Sequence, residues 1–296
     1  MKRRHFAQLT AAATLTTALS KQVSAFLPMI PAKNGLGLQL WTVRNQLEES
    51  VEKTIKAVAD AGYKQVELMR VIDSEDVVKA AKDNGLEVRS AFINWESVVK
   101  PSDNTPDLSK ILDKANEYGL EYIVFGYVGK SERDSADKIK GIIDSANAAA
   151  EKSKAAGLKL SYHNHSFEFE PLDGDTNAFE MFVDGFDKEL IDFELDVFWA
   201  AIGGYDAVDT MKRLGRRVGQ VHLKDLKKDT PTIFDEGKVP EDAFQEVGDG
   251  ILDMKQIMEI AVANGVQQFH VEQDASPDPI KSIGQSAKYV ADNLWG

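Results

Sequence analysis

Eight short apolar runs recur along this chain at nearly even spacing, and several of them are bounded by a glycine. The runs cover residues 37–42, 65–69, 86–93, 122–127, 158–164, 191–197, 218–224 and 268–272. Gly62, Gly85, Gly119, Gly157 and Gly265 each stand between a helical pattern and the next run. Glycine is favoured there because a helix ends most readily on a residue that tolerates a left-handed conformation. Between the runs, Val51, Thr54, Ile55 and Val58 keep helical spacing, as do Ile139, Ile142, Ile143, Ala146, Ala149 and Ala150. A long helix is predicted over 134–156 and a last one over 279–294. Eight strands alternating with helices predict a (β/α)8 TIM barrel, a single α/β domain over residues 35–296. An open doubly wound sheet is the competing arrangement, but no G-x-G-x-x-G opens a helix.

The first 25 residues fall outside this pattern. They hold Lys2, Arg3, Arg4 and Lys21, no acid, a mild apolar stretch from Ala7 to Leu19, and end Val23-Ser24-Ala25. A basic start, a weak apolar segment and a small-x-small cleavage site predict a signal peptide over 1–25. Arg3-Arg4-His5-Phe6 resembles a twin-arginine signal, which predicts export of the folded chain to the periplasm. Residues 26–34 would be a linker. No stretch is long and apolar enough for a stable membrane span.

Charge and composition remove several classes of chemistry. The chain has 35 Lys and Arg against 48 Asp and Glu, a net charge of -13 over 296 residues. Loss of the four basic residues of the leader takes this to -17. A phosphate backbone needs a basic face, so nucleic acid is not an expected partner. There is no Cys, so thiolate zinc sites, iron–sulfur clusters and Cys nucleophiles are excluded. No G-x-S-x-G and no Walker loop occurs.

What remains is an unusual set of polar residues at strand ends, where a barrel of this kind places its chemistry. Glu67 ends the second strand; His163, Asn164 and His165 the fifth; Glu194 and Asp196 the sixth. His222, Lys224 and Asp225 follow on the seventh, and His270 and Glu272 on the eighth. Buried charges are costly unless paired or metal-bound. Residues i and i+2 of a strand share a face, so the pairs His163/His165, Glu194/Asp196, His222/Lys224 and His270/Glu272 each look the same way. His163, Asp196, His222 and Glu272 form a mixed nitrogen and oxygen ligand set. Such a set predicts a divalent metal ion, with Mn, Zn, Fe or Co favoured over Mg. The segment from Lys227 to Gly250 is the longest irregular stretch, predicted as either a surface loop or a lid over the mouth. Within it, Gly248-Asp249-Gly250 predicts a turn.

The pieces GLQLWTVR at 37–44, GYKQVEL at 62–68, YHNHSFEF at 162–169, ELDVFW at 194–199, VHLKD at 221–225, VGDG at 247–250 and HVEQD at 270–274 resemble one family. It is the xylose-isomerase-like TIM barrels, the sugar phosphate isomerases/epimerases with their inosose dehydratase and ketose 3-epimerase relatives. The resemblance covers about residues 35–295. It implies a divalent metal held at the ends of strands 5 to 8, with Asp196, His222 and Glu272 matching three of the usual ligands. The fourth place, a Glu in the family, is His163 here, which departs from the paired-glutamate epimerase pattern.

These readings predict a metal-dependent sugar isomerase or epimerase that moves a proton next to a carbonyl. Glu272 is expected as ligand and base, His165 or Glu168 as partner acid/base, and Lys224 as an oxyanion stabiliser. Gln39, Trp41, Glu67 and Trp199 are expected to line the substrate, with Phe92 as a further apolar wall. The acidic surroundings of 235–253 favour a neutral sugar or cyclitol over a phosphorylated one. A lyase performing β-elimination on a keto-sugar or 3-keto-glycoside is the first alternative. A non-catalytic periplasmic sugar-binding protein is the second. The expected partner is a small carbohydrate, and a homo-oligomer is compatible with the sequence.

Overall fold

The computed structural model describes residues 34–172 and 176–295; the predicted signal peptide and nearly all of the linker lie outside these residues. Eight parallel strands close into a barrel, as the alternation predicts. They are β1 (Leu36–Gln39), β2 (Gln65–Leu68), β3 (Glu87–Phe92), β4 (Tyr122–Gly126), β5 (Lys159–His163), β6 (Ile191–Asp196), β7 (Val218–Leu223) and β10 (Gln268–Val271). Around the ring their order is β1-β10-β7-β6-β5-β4-β3-β2. Between β7 and β10, β8 (Asp225–Leu226) and β9 (Phe244–Gln245) pair as a small antiparallel ribbon that the sequence pattern does not signal. The first run ends early as a strand, because Leu40–Val43 turn into a 3-10 helix capped by the Gln39 side chain.

The helices form for local reasons that the sequence displays. In Val51–Asp60, Ser50 caps the first turn by accepting from the Lys53 N–H. Thr54, Ile55 and Val58 face inward, and Lys56 pairs with Asp60 on the wet side. The helices Leu108–Tyr118 and Met254–Asn264 end on Gly119 and Gly265, both left-handed at φ 82° and 97°. The predicted long helix is Ala136–Ala155. The last one is α-helical over Pro279–Tyr289 and finishes in a π turn over Val290–Leu294.

Polarity is divided across the barrel wall. Leu38, Val66, Ile123, Phe125, Leu160, Phe193, Leu195, Val221, Leu223 and Phe269 are buried on the outer face, under the helices. The alternate positions look into the bore, and apart from a few such as Phe92 and Val124 they are polar: Gln65, Glu67, Ser90, Ser161, His163, Glu194, Asp196, Gln220, His222, Gln268 and His270, all buried. Val, Ile and Leu usually fill such a bore. Here the apolar core is the layer between strands and helices, and the centre is given to hydrogen bonding.

Two substitutions test this division by urea denaturation. Phe193→Ala empties a fully buried site in the outer layer and should cost about 3–5 kcal/mol. Lys56→Ala breaks an exposed pair and should change stability by less than about 0.5 kcal/mol. Equal effects would contradict this placement of the core.

Candidate active site and metal centre

The C-terminal ends of β5, β6, β7 and β10 bring His163, Asp196, His222 and Glu272 together. One ligand atom from each lies within 4.8 Å of the others. Register explains the convergence: Asp196 sits beside His222, and His222 beside His270, across adjacent strands. Asp196 also begins the helix Val197–Ile202, its Oδ1 accepting the Trp199 N–H at 2.9 Å. Its Oδ2 is buried and makes no hydrogen bond, its near neighbours being the Lys224 ammonium at 3.1 Å and His222 Nδ1 at 3.8 Å. A carboxylate oxygen without a hydrogen bond, set among two imidazoles and a second carboxylate, fits a divalent ion.

Both imidazoles of this set are held from below by carboxylates. His163 Nδ1 lies 3.1 Å from Glu194 Oε2, and His222 Nε2 lies 2.8 Å from Glu67 Oε2. A carboxylate on one ring nitrogen fixes the tautomer and leaves the other nitrogen for a metal. His222 Nδ1 faces Glu272 Oε2 at 3.2 Å. Burial opposes charge on His222, but Glu194, Glu272 and Glu67 around it raise its pKa well above the ordinary histidine value. His163 goes the other way, lowered by burial and by its neighbour His222.

Lys224 is fully buried. Its Nζ lies 2.7 Å from Glu272 Oε2 and 3.1 Å from Asp196 Oδ2, and it also pairs with Asp274. Burial would lower its pKa; the carboxylates of Asp196, Asp274 and Glu272 hold it above the usual lysine value instead. Glu272 is drawn well below the ordinary carboxylate range by Lys224 and His222, against the effect of burial. Asp274, raised to about 6 by burial, is the site residue the sequence reasoning left out. Its signal was present, since it continues the i, i+2 series from His270 and Glu272.

His165 stands in the mouth among rings: Tyr127 at 5.0 Å, Phe167 stacked at 5.3 Å and Trp199 at 5.5 Å between centroids. Burial and then Lys224 lower its pKa to about 3, so the ring is neutral, and its Nδ1 has no partner. Tyr127, directly after β4, is a second residue that sequence reasoning missed. It is 53% exposed and held at φ 56°, a left-handed conformation unusual for a bulky side chain. Trp41, 45% exposed, lies on the rim under the Arg44 guanidinium.

Four predicted site residues occupy other positions than expected. Glu168 does not face the mouth. Its oxygens accept from Tyr162 OH and the His165 N–H behind β5, because Tyr162 points outward to the helices. Glu67 and Gln39 lie one layer below the mouth and are bonded to each other at 2.7 Å; Glu67 also receives Ser90 and His222. Trp199 is buried against Phe198 and Phe244, with the Lys224 ammonium 5.3 Å over its ring. Phe92 does reach the bore, edge-on to His163 at 5.2 Å.

The long segment after β7 is folded against this mouth. Asp225 fastens it, accepting from the N–H groups of Leu226, Gly248 and Leu252. Gly248, at φ 97°, makes the predicted turn, and a side chain on Gly250 would collide with Asp225. The segment reaches across to β4 and β5 through Tyr127 OH to Glu236 at 3.0 Å and Ser166 Oγ to the Phe234 carbonyl at 3.1 Å.

Glu168 generates a pH prediction. Its carboxyl is pushed up from 4.5 to about 7 by burial, despite its hydrogen bonds. Between those values the folded chain keeps a proton that the unfolded chain releases. This contribution therefore favours folding at low pH and is lost as pH rises towards 7, by on the order of 3 kcal/mol. Glu168→Gln removes the titration. The stability of the wild type relative to this variant should fall by about that amount between pH 4.5 and 7.5 in denaturant titrations. A pH-independent difference would refute the assignment.

Residues 55–292 match the family model described as the xylose isomerase-like TIM barrel. The inosose dehydratase of Clostridium perfringens is 25% identical over 269 residues, which is 82% of this chain and 90% of that one. A sugar phosphate isomerase/epimerase from Parabacteroides distasonis superposes with a TM-score of 0.71 at 24% identity, over 90% of this chain and all of that one. A 3-keto-D-glucoside 4-epimerase from E. coli does so with a TM-score of 0.61 at 15% identity, over 86% and 98%. The match to the family model spans most of the barrel, from the helix before β2 to the last turn, and the chain belongs to the xylose isomerase-like TIM barrel family.

Proposed function

We propose that the chain is a metal-dependent enzyme that removes a proton beside the carbonyl of a neutral keto-sugar or keto-cyclitol. Elimination of a neighbouring hydroxyl or glycosidic oxygen would follow. The observation that carries this reading is the end of β5, where His163 stands and, among the described residues, no second glutamate joins Glu272 in the ligand set. Epimerisation between two faces calls for a base on each. Elimination can use one residue twice: Glu272 takes the proton from carbon and returns it to the departing oxygen. The 25% identity with an inosose dehydratase supports the same choice.

His163, Asp196, His222 and Glu272 would hold the ion, which would act as a Lewis acid towards the substrate carbonyl oxygen. Lys224 keeps Glu272 ionised and fixed in place. The neutral His165, with its free Nδ1, offers a hydrogen bond to a sugar hydroxyl within the wall of Tyr127 and Phe167. Trp41 at the rim supplies an apolar face. Export by the predicted leader would place this activity in the periplasm. Isomerisation or epimerisation is the second reading, favoured by the likeness to the Parabacteroides protein; of the two, isomerisation, a proton shift between adjacent carbons, also needs only one base.

The test is a panel of keto-sugars, 3-keto-glycosides and keto-cyclitols in deuterated water with added Mn2+. An unsaturated ketone product with loss of water or an alcohol supports elimination. Deuterium at the carbon beside the carbonyl with no loss of oxygen selects the second reading. Chelation should abolish turnover, and Asp196→Ala should lower kcat/KM by about 10^3-fold or more. Full turnover in metal-free protein would overturn both readings.

A further inference from the structure

Below the four predicted ligands the bore contains a second group that the reaction above leaves unused. His270 on β10 is completely buried, and neither of its ring nitrogens has a hydrogen-bond partner. Its Nδ1 lies 3.8 Å from Glu67 Oε1 and 3.7 Å from Glu194 Oε1, beyond hydrogen-bond reach. Glu194 Oε1 is likewise buried without a partner. These are the oxygens that Glu67 and Glu194 do not use to hold the upper imidazoles, a task that falls to their Oε2 atoms. Glu67, Glu194, His222 and His270 together place one ligand atom each within 4.8 Å of the others.

The spacing matches a cation. Ligand atoms about 2.1 Å from a shared first-row ion lie roughly 3.4–3.6 Å apart at tetrahedral to trigonal angles. A water molecule bridging these atoms would leave the charge unchanged. The charge needs an answer. Glu67, Glu194, Asp196 and Glu272 are all buried carboxylates, and Lys224 is the one fully buried lysine or arginine among the described residues. One divalent ion at the upper site leaves negative charge standing in the bore, and buried charge is costly unless neutralised. The backbone makes room as well. A Cβ on Gly37 would come within 2.2 Å of His270 Cδ2, so β1 can lie beside this imidazole only with a glycine there.

We propose that Glu67, Glu194 and His270 form a second divalent-cation site one layer below His163, Asp196, His222 and Glu272. The carboxylates of Glu67 and Glu194 would tie the two sites together. One oxygen of each would orient an upper ligand and the other would bind the lower ion. His222, which faces both layers, would keep its Nε2–H on Glu67. This site does not depend on the reaction proposed above.

The test counts metal ions. Protein stripped with chelator and reloaded with Mn2+ should retain two ions per chain by elemental analysis. His270→Gln should retain one, because the upper ligands remain. Asp196→Asn should also retain one, in the lower site. As a measurement independent of any variant's folding, the doubly loaded wild type should give a spin-coupled Mn2+ resonance spectrum. A wild type that binds a single ion, lost in Asp196→Asn and kept in His270→Gln, would overturn the lower site and leave the upper one standing. An uncoupled six-line spectrum at full loading would overturn it too, as would a wild type that binds no metal.

Discussion

An ammonium group with no access to water sits among three carboxylates at the top of this barrel. Lys224 cannot be held there without Asp196, Glu272 and Asp274, and they cannot crowd together without Lys224. Removing either side would leave buried charge unpaired, among the costliest changes available to a folded chain. The cluster thereby fixes the ends of β6, β7 and β10 relative to one another. Glu272 is pinned next to His222, and Asp196 is free to cap the following helix with one oxygen while presenting the other to the site. The positions of Asp196 and Glu272 follow from this one arrangement, and His222 is held against Glu272.

The fold was largely legible in the sequence because its signals are local. Glycines at helix ends and apolar runs of strand length announced all eight barrel strands to within one to three residues at each end. The β8/β9 ribbon was not visible, because two-residue strands carry no periodicity. At the site, alternation told correctly which residues share a face, and the strand-end rule collected them. Neither rule gives height along the bore. Glu67 and Gln39 belong to the inner face, as read, but stand a layer too low to line the mouth. Glu168 failed for a different reason. It follows the strand, where the alternation of side chains no longer applies, and the loop carries it behind β5. Tyr127 left no trace at all, since its backbone conformation is set by where the chain must go after β4.

The segment between β7 and β10 links this chemistry to the rest of the rim. Asp225 has no role in the ligand cluster, although it follows Lys224 directly. Pointing the other way along the strand, it gathers three backbone N–H groups and so ties both ends of the segment to the barrel. The middle of the segment then bears on the ends of β4 and β5 through Glu236 and Phe234. Two neighbouring residues thus divide the work: Lys224 organises the site, and Asp225 organises what lies over it.

The polar bore has a consequence for how such a protein can change over generations. In a barrel filled with Val and Leu, each replacement at the centre removes apolar contact and weakens the fold. Here that contact lies outside the strands, in the layer around Phe125, Leu160, Phe193 and Phe269. Replacements inside the bore that keep its buried charges paired alter hydrogen bonds and ligand chemistry while the apolar layer stays as it was. Foldability and reactivity are written in alternate letters of the same eight strands. A lineage built this way can change the residue at the end of β5, His163 here, without having to rebuild the barrel.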